Sequence, residues 1–89
     1  MQRRTILYSG RVQGVGFRYT VSRSAAGRAV TGYVRNLPDG RVELVVEGTV
    51  PQIETLLAEI REHFGGNISG VASQTGPSTG EFSDFQIRR

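Results

Sequence analysis

The stretch "QGVGFR", Gln13 to Arg18, sets two glycines one residue apart and follows them with an arginine. Glycine tolerates backbone angles closed to other residues, so Gly14 and Gly16 let successive N–H groups converge into a nest that binds anions. A helix opening near Phe17 adds its unpaired N–H groups and the positive end of its dipole, which suits a phosphate. Arg18 then stands in the first helical turn, where a cation opposes the dipole by about 0.3 to 1 kcal/mol. An anion in the nest reverses that sign, because a guanidinium closes a two-pronged clamp on phosphate oxygens. Asn36 is a second candidate: an amide carries donor and acceptor together and holds a water molecule without titrating. On residue types alone the plainer readings stay open, a ligand-free turn for the glycines, a solvated surface residue for Arg18 and a turn former for Asn36.

The elements that must position these residues follow from local pattern. Residues 5–12, "TILYSGRV", are strand-like in their β-branched and aromatic content. From Phe17 the period changes: Phe17, Val21 and Ala25, with Ala29 beyond, make one apolar stripe of a helix. "GYVRNL", residues 32–37, is a strand again and stops at "PDG", where a fixed φ at Pro38 and a positive φ at the glycine predict a tight hairpin. "RVELVVEG" alternates, with Val42, Leu44 and Val46 toward a core and Arg41, Glu43, Val45 and Glu47 toward a mostly wet face. Thr49 and Gln52 have capping-box spacing, Pro51 falls in the first turn, and Ile53, Leu56, Leu57, Ile60 and Phe64 form a helical stripe ended by Gly65 and Gly66. "SGVASQTG" and "EFSDFQIRR" predict two short strands around the loop "GPSTG".

This order predicts an α+β, ferredoxin-like sandwich: a five-stranded, mainly antiparallel sheet with two helices on one face, βαββαβ plus an edge strand, forming one domain over residues 1–89. In such an arrangement the first two strands run parallel with the third between them. Their C-terminal ends then lie about 10 Å apart on one edge, two interstrand spacings. That brings the glycine loop and Asn36 to the same edge.

Composition narrows the chemistry further. The chain has no cysteine and one histidine, which removes a thiolate nucleophile, disulfides and a multi-histidine zinc site. No metal and no cofactor is expected. Eleven arginines and no lysine against eight acids leave a net charge of +3, an excess that fits an anionic ligand without indicating nucleic acid. A Walker loop needs the lysine this chain lacks, and a dinucleotide fingerprint from Gly14 needs glycine where Tyr19 stands. His63 falls in the last turn of the second helix, the usual place of a charge partner for the helix terminus. The exposed side of "RVELVVE" offers Arg41, Glu43, Val45 and Glu47 and no aromatic platform for bases, which argues against an RNA-recognition module. No stretch has the apolar length of a signal-peptide core or a membrane span. A monomer in the cytoplasm, without membrane or nucleic-acid partners, is the expectation.

"GRVQGVGFRY" together with "GYVRNLPDGRVELVVEG" resembles the acylphosphatase family, and the likeness runs from the first strand to the closing "FSDFQI". The resemblance implies a metal-independent enzyme that hydrolyses the carboxyl-phosphate anhydride of acyl phosphates to a carboxylate and inorganic phosphate. It further implies a phosphate loop at Gln13, Gly14, Val15, Gly16 and Phe17, a phosphate-binding role for Arg18, and a water-orienting role for Asn36. Val30 and Tyr33 stand where the family often has leucine and tryptophan, a departure that bears on packing. Acylphosphatase-like domains also occur inside a larger hydrogenase-maturation protein, so a non-catalytic sensor is the competing reading. The presence of both Arg18 and Asn36 favours the enzyme.

Overall fold

The computed structural model describes residues 1–89, in the order β1 (Gln2–Gly10), α1 (Phe17–Ala26), β2 (Val30–Asn36), β3 (Val42–Gly48), α2 (Val50–Phe64), β4 (Ile68–Pro77) and β5 (Phe85–Arg88). The strands make a single sheet in the order β4-β1-β3-β2-β5. β3 is antiparallel to both β1 and β2, so those two run parallel on either side of it, as the element order requires. β5 joins β2 in parallel, which makes the sheet mixed. The core lies between the sheet and the helices: Ile6, Val34, Leu44 and Val46 meet Phe17, Val21, Ala25, Ile53, Leu56 and Ile60.

Local chemistry accounts for the turns and caps. Pro38, Asp39 and Gly40 make the β2–β3 turn, closed by Gly40 N–H donating to the Leu37 carbonyl at 3.1 Å, with Gly40 at φ +95°. The Thr49 hydroxyl accepts from the Gln52 amide at 3.4 Å, and Pro51 occupies the first turn of α2. Val30 sits in the core, and the Tyr33 hydroxyl donates to Glu43 at 3.0 Å, so both departures from the family pattern are packed.

Four expectations are corrected. β1 begins at Gln2, because Arg3 and Arg4 are each neutralised by tertiary partners, Glu47 with Glu81 and Glu54 respectively; it ends at Gly10 in a register shift, which leaves Arg11 and Val12 outside the strand. β2 spans Val30–Asn36 and excludes Leu37, which belongs to the turn. Ala29 lies beyond the end of α1 and is exposed. The outer side of β3 is not wet: Val45 and Glu47 are buried, the latter beneath residues 78–80.

Candidate active site

Tertiary contacts pin the glycine loop at both ends. On the N-terminal side the Arg11 amide donates to the Asn67 carbonyl at 2.8 Å, and the Asn67 side chain donates back to the Arg11 carbonyl at 3.1 Å. Next, Gln13 Nε2 donates to the carbonyls of Leu37 and Arg41, at 2.8 and 2.9 Å, which ties the loop to the β2–β3 turn. On the far side Phe17 is buried, its ring centroid 5.1 Å from that of Tyr8 and 4.8 Å from that of Phe64. A loop held in this way keeps its geometry without a ligand, so little ordering entropy is spent on binding.

Between these pins Gly14 and Gly16 adopt φ +77° and +80°. A Cβ at either position would meet nothing within 4 Å, so conformation and not space demands glycine there. Gly16 is the N-cap of α1 and provides no side-chain cap, and no acid stands in the first turn. The amides from Gly14 to Arg18 find no acceptor in the chain. Buried or bound, such groups demand a partner. Five unpaired donors bordering one cleft therefore offer a site for oxygen anions.

Arg18 has no carboxylate partner; its Nη1 makes a 3.4 Å contact with the Arg88 carbonyl, which steadies the side chain without neutralising it. Arg3, Arg4, Arg28, Arg35 and Arg41, by contrast, each pair with an acid. Asn36 closes β2, and its side chain is half-buried and not engaged by any other group of the protein. One cleft of about 190 Å³ brings together Gly14, Gly16, Phe17, Arg18 and Asn36, with Val12, Tyr19 and Ile87 completing its walls. The volume suits a phosphoryl group with a small substituent and no nucleotide.

The cleft thus unites most of the residues singled out by sequence. Gln13 stands outside its lining and its side chain braces the hairpin, while Val15 lies at the exposed tip of the loop. Val12, Tyr19 and Ile87 are additional to the residues singled out by sequence. Tyr19 adjoins Arg18 and is legible as the next residue of an exposed helical face, whereas Ile87 arrives only because β5 pairs with β2 at Val34. His63 lies elsewhere, on the surface of α2 beside Thr20 and Ser24. No three His, Cys, Asp or Glu side chains are grouped to hold a metal ion, and no helix is long and apolar enough to cross a membrane.

The sequence model described as Acylphosphatase matches residues 4–87. The chain is 43% identical to an acylphosphatase of Methylococcus capsulatus, covering 100% of this chain and 98% of that one. It is 44% identical to an acylphosphatase of Methanospirillum hungatei, covering 100% and 99%. The crystal structure of acylphosphatase from Bacillus subtilis superposes with a TM-score of 0.89 at 30% identity, covering 100% of both chains.

Proposed function

The chain belongs to the acylphosphatase family and is a hydrolase of acyl phosphates; from that premise we propose that the amides of residues 13–18 and the Arg18 guanidinium hold the phosphoryl group, while Asn36 orients the attacking water. The observation that carries this reading is the convergence of Gly14, Gly16, Arg18 and Asn36 on one small cleft. Gln13 serves through its backbone, since its side chain is occupied by the hairpin carbonyls. Residues 1–89 act as one catalytic unit, because loop, helix and hairpin share a single core.

An acyl phosphate carries a good leaving group, so catalysis needs charge neutralisation and alignment more than a strong acid or base. The amides and Arg18 stabilise charge on the equatorial oxygens in a geometry already in place before substrate arrives. Water held by the Asn36 amide attacks phosphorus as the bond from phosphorus to the acyl oxygen breaks. The carboxylate leaves with that electron pair, and the proton from water passes to a phosphoryl oxygen, giving dihydrogen phosphate. No other base is required in this scheme. The side chains lining the cleft include neither histidine nor carboxylate.

The two roles separate kinetically. Arg18→Lys keeps the charge but loses the fork, and is expected to raise KM and lower kcat together. Asn36→Ala is expected to lower kcat by about 10²-fold or more while KM and inhibition by phosphate change little. Benzoyl phosphate hydrolysis, with circular dichroism melting as the folding control, reads both. A folded Asn36→Ala protein with near wild-type kcat overturns the water-orienting role.

A further inference from the structure

A second concavity, of about 270 Å³, lies away from the catalytic cleft, between α2 and the β1–β4 edge of the sheet. Its walls are Ile6, Tyr8, Leu57, Ile68 and Val71, with Arg61 among them. It exists because the helices do not reach over β4: Val71, beside Tyr8 in the sheet register, is 59% exposed on a face whose β1 residues are buried. Among the polar side chains of this mostly apolar groove, which also include Ser73, Tyr8 and Arg61 have no partner in the chain. The Tyr8 ring is buried, and its hydroxyl, which makes no hydrogen bond within the chain, stays accessible from the groove. Arg61 makes no ion pair. That hydroxyl and the Arg61 guanidinium are therefore free to donate to a molecule seated in the groove. Burial pushes the Tyr8 phenol up to about 12, offset in part by the charge of Arg61, so it remains a donor across the physiological range.

We propose that this groove binds a small apolar carboxylate, its hydrocarbon body against Leu57, Ile68 and Val71 and its carboxylate on the Tyr8 hydroxyl and the Arg61 guanidinium. The polar side chains of the lining, Tyr8, Ser73 and Arg61, are all donors with no acid among them, which selects an anion, and the apolar walls disfavour one as strongly hydrated as phosphate. Tyr8 and Asn36 share a cross-strand row, both in register with Val42, so the groove and the catalytic cleft occupy opposite ends of one row. The Tyr8 ring also touches Phe17, the residue that anchors the phosphate loop. The ligand class is that of the carboxylate released by the reaction, bound at a separate site.

The test is a titration of the isotopically labelled full chain with sodium benzoate, followed by methyl and amide resonances, in saturating inorganic phosphate. Phosphate occupies the catalytic cleft, so binding there cannot be mistaken for binding in the groove. The expected result is saturable shifts at Ile6, Leu57, Ile68 and Val71. Affinity should fall about tenfold in Arg61→Gln, whose target is exposed and tolerates change, and severalfold in Tyr8→Phe. Benzyl alcohol, with the same body and no charge, should bind at least about tenfold more weakly. Shifts confined to residues 14–18 and Asn36, equal binding of benzyl alcohol, or unchanged affinity in Arg61→Gln would each overturn the proposal. Since the readout is binding and not turnover, failure here leaves the catalytic assignment untouched.

Discussion

At residues 78–80 backbone N–H groups converge on an anion built into the chain, whereas the amides of residues 14–18 have no acceptor and border an open cleft. Glu47 accepts from the Thr79 amide at 3.0 Å, the Gly80 amide at 3.0 Å and the Ser78 and Thr79 hydroxyls at 2.8 Å each, with Arg3 as its counter-charge. Burial would push this carboxyl up, yet the bonds donated by Thr79, Ser78 and Gly80 outweigh that and bring it down to about 2. The loop at 14–18 presents a comparable set of donors, and Arg18, to no carboxylate of the chain. The same device fastens a loop where the protein supplies the anion, and under the proposed function it would hold a substrate where the protein supplies none. Arginine follows the same division. Arg3 is bound to Glu47 and Glu81, and its charge is consumed in structure; Arg18 has no carboxylate partner in the chain.

Substituting each region's key residue should therefore produce opposite losses. Arg18→Gln is expected to lower kcat/KM by about 10³-fold, equivalent to about 4 kcal/mol, with the melting temperature nearly unchanged. Glu47→Gln should do the reverse: a loss of about 3 kcal/mol of stability, since buried donors lose a charged acceptor, with kcat/KM for benzoyl phosphate within about threefold. Denaturant unfolding and steady-state kinetics on both variants measure the crossover. A Glu47→Gln protein that loses turnover in proportion to stability would erase the distinction.

Acid sharpens the comparison without mutation. The Glu47 carboxyl is held at about 2 against an ordinary value of 4.5, so its contribution is complete above 4.5 and is lost as pH falls through 2. Thermal melts between pH 5 and pH 2 should show a falling midpoint, and Glu47→Gln should flatten that slope. Gly16→Ala probes the other loop: forcing a side chain to φ +80° should cost about 1 to 2 kcal/mol and weaken phosphate inhibition, while leaving the 78–80 turn intact. The smallest expected effect is none at all. Exhaustive chelation should leave hydrolysis unchanged, and a loss restored by magnesium would break the amide-and-arginine mechanism.

Much of the candidate site was legible because its signals are local. Gly14 and Gly16 declare positive φ, "PDG" declares a turn, and the stripes through Phe17 and Ile53 declare helices; these preferences act over a few residues. Arg18 and Asn36 stand at the ends of such elements, so the element order alone brings them to one edge. The region around Glu47 was not legible. Strand alternation assigned Glu47 to a wet face, since nothing near it in the chain announces that residues 78–80, more than thirty positions away, will fold over it. β4, though weakly patterned, became a ten-residue strand by pairing with β1 from Gln2 to Gly10.

The sequence by itself determined the order and type of the elements, the hairpin, the Thr49 helix cap and the positive-φ glycines of the candidate loop, because each depends on backbone preference or on a period that neighbouring residues complete. The tertiary structure alone decided that Gln13 braces the hairpin, that Ile87 walls the cleft, that Tyr8 and Arg61 share a groove, and that Arg18 stays unpaired while Arg3 does not. These outcomes depend on which distant groups meet once the sheet has assembled. Charge pairing and burial belong to the packed chain, and an arginine read in isolation carries the same charge whether the fold neutralises it or leaves it for a ligand.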